Sequence, residues 1–438
     1  MLDFPKTKTT EDRLLFFFGL LGTMPILQIF GLTVFTWMTL VLIGYNLLFR
    51  LKIVQPSNKS TPYIIFTLLT LISAAVCITS DLPEMWKKIQ LTSVVWRLCY
   101  LFLFLIYFCK ARFDKTLFYI KGVYYASIIH SIWGCIQVLV YEATGQSVNR
   151  LIFFDMFHVE AAEYVQMRGG SIAMTGFCWN AGNIAPLLVI GYAMSKSLLL
   201  KIFFLMISVL SGSRTAITGV VACFVLEVFL YLLRQYKDRI KLIHIVGFFG
   251  ALGFLMMVIL ANGNITQMII ARCQEILSTF SSSYLNTQSS SRLHARYWTS
   301  IPLITEWNKP VHNLFGYGLG ASGYPFTQLF GQYTDGVWVV ECDFINDLWS
   351  FGYVGFMTWY LWYAYNMIKG SKVNKRFFIL FAGLLVEGAS YNVTFNWCLI
   401  FLLFVFINIE YSNDFLRLRS LRSYYLKGKG KYEIIRDN

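Results

Sequence analysis

Twelve apolar stretches, most of them about as long as a bilayer is thick, leave this chain few soluble folds to adopt. A helix needs roughly 20 residues to cross a hydrocarbon core of about 30 Å. Runs near that length stand at 14–31, 33–49, 62–80, 91–109, 117–141, 176–195, 200–211, 213–233, 242–261, 344–368, 377–392 and 395–411. Hydrophobic residues make up 57% of the 438 and charged residues 14%, so a soluble domain would have to expose large apolar patches. The pair 200–211 and 213–233 reads as two spans, because a fused helix of about 34 residues would run about 50 Å. The break falls at Ser211-Gly212-Ser213. The expected fold is an all-α polytopic membrane protein of about twelve transmembrane helices, a single transmembrane domain over 1–438, with one large extracytoplasmic loop containing short helices.

Orientation follows from Lys and Arg, which stay on the cytoplasmic side of short loops. With the N-terminus inside, most of the 37 basic residues fall on inner segments, including the loop Arg234–Lys241 and the basic cytoplasmic tail 412–438. Fusing 200–233 would move the loop RQYKDRIK outside, so the same rule favours the split. Both termini are expected in the cytoplasm, with the first span a retained anchor rather than a cleaved signal. The net charge of +14 is explained by this topology, and nucleic acid is not an expected partner. Nine cysteines are scattered without a CxxC and read as small apolar packing residues. Spacing does not favour a Cys273–Cys342 disulfide.

Two outer segments have room for chemistry, the first extracytoplasmic loop 142–175 and the large one 262–340. The first leads into GGSIAMTGFCWNAGN, whose glycines and asparagines imply a bent approach to the next span. The second holds a serine-rich patch and then an expected helix from Arg292 to about Trp307. There Leu293, Tyr297, Ile301 and Ile304 form an apolar stripe beside a row of Arg292 and Arg296. No internal repeat is visible, so the inverted-repeat signature of many secondary transporters is missing.

Arg214, in SGSRTA at the start of the eighth span, is costly inside a membrane unless it faces a polar cavity. The helix N-terminus there adds a positive dipole, and the two would make an anion site; the alternative is an arginine snorkelling to lipid headgroups. Arg292 and Arg296, at i and i+4, match the oxygens of a diphosphate or else form a solvated basic face. Arg168 joins them only if the two outer loops fold over one cavity. Glu341 and Asp343 flank Cys342 where the large loop re-enters the apolar region. A partly desolvated carboxylate there suits a general base toward a hydroxyl, and the other reading is a charge capping the tenth span. Asp347 and Glu387 are second candidates. The five histidines are far apart, and no cluster has metal-ligand spacing, so neither metal nor cofactor is expected. The glycines of FGYGLGASG and FGYVG are expected to permit a tight turn and close helix contact.

The order of SGSRTA at a span start, RLHARYW in a long outer loop, NLFGYGLG, and then a charged residue before FINDLWSFGYVGF resembles the O-antigen ligase and Wzy-type O-antigen polymerase superfamily over about residues 165–368. The resemblance implies a metal-independent, inverting glycosyltransferase at the outer face of the bacterial cytoplasmic (inner) membrane. Its donor is an undecaprenyl-diphosphate-linked oligosaccharide, and a chain-length regulator protein is an implied partner. Matched onto this chain, the diphosphate-binding arginines are Arg214, then Arg292 or Arg296, then Arg168. Ligases carry a histidine eleven residues before the first glycine of the closing GxxG. That glycine is Gly352 here and the position is Glu341, which favours a polysaccharide polymerase, with Glu341 or Asp343 as the base, over the alternative of an O-antigen ligase. A flippase or transporter for lipid-linked oligosaccharide is the reading from another class.

Overall fold

A computed structural model describes residues 9–49, 61–80, 82–107, 115–163, 165–168, 171–235, 310–330, 340, 342–389, 391–393 and 397–411. Helix accounts for 80% of the structure. The principal helices are α1 (Thr10–Leu21), α2 (Val34–Phe49), α3 (Thr61–Thr79), α4 (Glu84–Tyr107), α5 (Thr116–Thr144), α6 (Ala181–Met194), α7 (Leu198–Leu210) and α8 (Arg214–Gln235). They continue with the short α9 (Pro310–Phe315) and α10 (Tyr324–Phe330), then α11 (Asp343–Val373), α12 (Lys375–Gly388) and α13 (Trp397–Tyr411). Each apolar run read from the sequence except 242–261, which lies outside the described residues, overlaps a helix, although 14–31 is helical only over its first part and 344–368 is broken.

Glu84–Tyr107, Thr116–Thr144 and Arg214–Tyr231 are long and apolar enough to cross a membrane, and several other helices are apolar but shorter. Apolar side chains face outward as well as inward: Leu139, Leu199 and Leu361 are 67%, 79% and 67% exposed. In water such surfaces would be sites of association; in lipid they are ordinary. The chain is a helical protein with the apolar helices of a membrane-embedded one.

Glycines set how closely the helices approach, as apolar helices in lipid require. A Cβ on Gly122 of α5 would lie 2.1 Å from Phe16 O of α1, and one on Gly19 would lie 2.1 Å from Tyr119 O. The two backbones therefore touch. α1 and α5 run parallel, and their first turns are joined where Lys115 Nζ meets Asp12 Oδ1 at 2.5 Å. Thr9 caps α1, exchanging hydrogen bonds with Asp12 in a capping box. α12 packs antiparallel to α8, Gly383 against Cys223 and Glu387 against Gly219, while Gly219 also meets Val189 of α6. These directions agree with the alternation expected from the sequence.

Three expectations are corrected. The first run, 14–31, is not one helix: α1 stops at Leu21 with Gly22 as its cap. Pro25 offers no backbone donor, and Phe30 and Gly31, with φ of 52° and 73°, turn the chain into a hairpin of β1 (Gln28–Ile29) and β2 (Leu32–Thr33). The first outer loop, whose polar sequence reads as irregular, is not wholly so. It holds a π-helix at Arg150–Met156, a 3-10 turn at Glu160–Ala162 and a hairpin of β3 (Met167–Arg168) and β4 (Ser171–Ile172).

The third correction concerns α11, which the apolar run 344–368 presents as one straight span. Gly352 has φ 63° and ψ −169°, a region open essentially to glycine alone. A straight helix would set residues 344 and 360 about 24 Å apart, yet the Phe344 and Tyr360 rings stack at 4.8 Å. Residues 343–351 therefore form a half-helix that folds back along residues 353–373. The break is locked by the turn after α9. Tyr317 N and Gly318 N donate to Trp349 O and Ser350 O at 2.8 and 3.0 Å, and Ser73 Oγ donates to Ser350 O at 2.6 Å. Carbonyls freed by the break thus find donors. Gly316 fits against Ser350 and Gly352 against Leu314 with no room for a Cβ on either, as the two glycine motifs led one to expect.

Candidate functional site

The N-terminal ends of α6, α8 and α11 and the C-terminal end of α12 meet at one end of the bundle, the end that the sequence assigns to the outer side. α6 begins at Asn180, whose side chain caps Asn183 N at 2.9 Å. The approach to it is bent as expected: Gly176 has φ 62°, and its carbonyl accepts from Gln137 Nε2 and Asn149 Nδ2 at 3.1 and 2.9 Å. Tyr391, three residues past α12, reaches Asn183 Oδ1 at 2.6 Å and Asn180 Oδ1 at 3.1 Å. It thereby ties the end of α12 to the start of α6.

α8 begins with Arg214 after the turn Ser211-Gly212-Ser213, where Gly212 has φ 65°. Ser211 Oγ accepts from Ser213 N at 3.1 Å, and Ser213 Oγ accepts from Ala216 N at 3.4 Å. These serines satisfy first-turn donors and set Arg214 at the helix N-terminus, half-buried. Glu387 of α12 packs beside Gly219, five residues and about 7.5 Å along α8 from Arg214. It is fully buried and lies in the field of Asp343.

Asp343 opens the half-helix and is 4% exposed. Its Oδ2 accepts from Val393 N at 3.0 Å, its backbone N donates to Tyr391 O at 3.3 Å, and Gly388 leaves the space that its carboxylate fills. Cys342 Sγ, a free thiol, donates to Ala389 O at 3.2 Å. The 342–343 segment is thus pinned to the end of α12, and because α11 folds back, Asp343 shares a cleft with Tyr360 and Tyr363. One turn on, Asp347 Oδ2 accepts from Tyr360 Oη at 3.0 Å. Arg97 of α4 faces this half-helix and lies in the field of Asp347 and Asp343.

Of the residues singled out from the sequence, Arg214, Asp343, Asp347 and Glu387 are gathered around this end. Glu341, Arg292, Arg296 and the expected helix to Trp307 lie outside the described residues, as does Cys273. Arg168 is placed by its backbone in β3, opposite Ser171. That hairpin adjoins the same end, since Gln166 Oε1 accepts from Ala181 N at 2.9 Å. Among the described residues no three His, Cys, Asp or Glu are grouped to hold a metal ion.

Sequence reasoning read Asn180 and Asn183 only as part of the bent approach to α6, and it missed Tyr391, which carries no motif, and Gln90 of α4, a lone amide in an apolar run. It also passed over His312, whose ring stacks on Tyr317 at 4.3 Å and whose Nδ1 donates to Gly316 O at 3.1 Å. Burial pushes the Tyr317 phenol up to about 12, so it stays neutral in the turn that locks α11.

The arrangement offers positive helix ends and an arginine on one flank and carboxylates on the other. Such a pairing can stabilise an anionic leaving group while a carboxylate accepts a proton. Comparison with known protein families and with curated proteins finds no match for this chain.

Proposed function

We propose that the chain is a polysaccharide polymerase of the O-antigen ligase and polymerase superfamily, with twelve spans and both termini in the cytoplasm of a bacterial inner membrane. The observation that carries this reading is the convergence of three helix N-termini, one bearing Arg214 and one formed by the pinned 342–343 segment. α6 and α12 have 14 residues each, about 21 Å. Their ends would stop short of a core of about 30 Å and leave a recess at the outer face. Helix N-termini and arginine favour an anion there.

In this reading Arg214 holds the diphosphate of the growing chain, with Arg292, Arg296 and Arg168 supplied by the outer loops. Asp343 is occupied with Val393 N–H, which leaves Glu341, two residues before it in sequence, as the base, and Asp343 anchors the start of the half-helix. Glu341 takes the proton of the acceptor hydroxyl, and that oxygen attacks the anomeric carbon. The bond to the diphosphate breaks with inversion, and the polyprenyl diphosphate leaves with the bonding electrons.

The test is to incubate purified protein with a lipid-linked repeat unit and to follow chain length. A ladder that disappears in Arg214→Ala and in Glu341→Gln supports the reading, and ladders unchanged in both variants would sink the assignment of the site. Chains that appear only when a lipid A core acceptor is added would move the assignment to ligase.

The buried charges Asp347 and Glu387, with the half-buried Arg97, favour a second reading, a flippase for the same lipid-linked oligosaccharide, because interior charges mark transport routes. It requires movement of substrate across vesicles without release of diphosphate.

A further inference from the structure

α4 carries a polar face toward the half-helix of α11. Gln90 is fully buried, and neither its amide oxygen nor its nitrogen has a hydrogen-bond partner. It lies against Gly318, 2.8 Å from where a Cβ would stand, and Gly318 in turn holds Ser350 O. The Ser350 hydroxyl is buried and lacks a partner as well. Arg97 follows seven residues after Gln90, about two turns further on the same face. Its guanidinium lies 5.8 Å from the Phe66 ring centroid, and Phe66 packs on Phe351 at 5.7 Å. Phe351 is one turn after Asp347, on the same side of the half-helix. Among the described residues Arg97 has no hydrogen bond or ion pair, although its guanidinium offers five donors.

An arginine kept in such a place needs a counter-charge or water. Orphaned amide and hydroxyl groups along the same seam are what ordered water satisfies in polar cavities. We propose that Arg97 is the counter-charge of Asp347 across a hydrated gap, and that it is a positioning residue: it holds the half-helix, and through it the 342–343 segment, in the orientation that the reaction uses. The role in the reaction rests on the glycosyl-transfer reading, whereas the charge pair itself does not. Among the described residues, the titratable groups that face the pair are Asp343 on the same half-helix, Tyr360 on the returning arm, Tyr100 on α4 and, beyond Asp343, Glu387 on α12.

The experiment compares Arg97→Gln, Asp347→Asn, their double variant and Arg97→Lys in full-length purified protein. It reads the thermal midpoint in detergent and the kcat and KM for extension of a lipid-linked repeat unit. Each single neutralisation leaves one buried charge without its opposite. Each should lower the midpoint and lower kcat by about tenfold or more, with KM within about threefold. The double variant should recover most of both losses, and Arg97→Lys should keep most of the activity. A double variant no better than the worse single, or an Arg97→Gln protein with unchanged kcat, overturns the proposal. If wild-type protein extends no chain, the functional reading fails, and the midpoints still decide the pair: recovery in the double variant supports it and additive losses refute it.

Discussion

Replacing Gly352 by alanine tests whether the broken helix is built into the fold. Two costs are readable from the geometry. At φ 63° and ψ −169° a residue with a Cβ is strained by about 1–3 kcal/mol. The added Cβ would also stand 2.4 Å from Leu314 C and 2.5 Å from both Leu314 O and Phe315 N. Those are backbone atoms that cannot rotate away, and overpacking of that kind costs about 1–3 kcal/mol more. The sum, about 2–6 kcal/mol, is large against the stability of an ordinary domain. Gly44 in α2 supplies the control, because a Cβ there meets nothing within 4 Å. Gly44→Ala should be neutral or stabilising by up to about 1 kcal/mol, the helix-propensity difference. The assay is the fraction of detergent-solubilised protein that stays monodisperse after heating. Gly352→Ala should fall well below wild type and Gly44→Ala should not. A Gly352→Ala midpoint equal to wild type would refute the fold-back and the interlock with Gly316.

Other outcomes follow from the same contacts. Gly122→Ala should destabilise strongly, since its Cβ would sit 2.1 Å from Phe16 O; heat-challenge chromatography reads this, and a stable variant would contradict the close approach of α1 and α5. Tyr391→Phe removes the hydroxyl shared by Asn180 and Asn183 and should cost about 1 kcal/mol with a loss of chain extension; unchanged stability and activity would remove that tie from the site. Tyr317 is raised from 10.0 to about 12 by burial, so its contribution is complete below about pH 10 and is lost as pH rises toward 12. The thermal midpoint should fall across that range, and less so in Tyr317→Phe; identical alkaline profiles would count against the burial.

Much of the helical frame was legible from hydropathy alone, because an apolar run long enough to cross a bilayer has few other ways to satisfy its backbone. The division at Ser211-Gly212-Ser213 and the position of Arg214 at the first residue of α8 followed from length and loop charge. Gly352 was harder to read. FINDLWSFGYVGF is a continuous apolar run around one glycine, and hydropathy does not register a backbone angle. The break depends on Gly316, Ser73 and Tyr317, which lie far away in sequence and supply the donors and the space. The hairpin at 28–33 was hidden for a related reason, since its residues are as apolar as the helix before them. Arg97 stands inside the apolar run 91–109, but its opposite partner on α11 comes into reach only once the half-helix folds back. Glu341 and the arginine pair at 292 and 296 remain sequence-based assignments whose structural placement lies outside the described residues.

The central claim is that this chain forms glycosidic bonds at the expense of a diphosphate-linked donor. Purified wild-type protein given only a lipid-linked repeat unit should release one polyprenyl diphosphate for each repeat added to a chain, with both products quantified by mass spectrometry. Release matched to chain growth is the expected result, and sugar crossing a vesicle membrane with no diphosphate set free would contradict it.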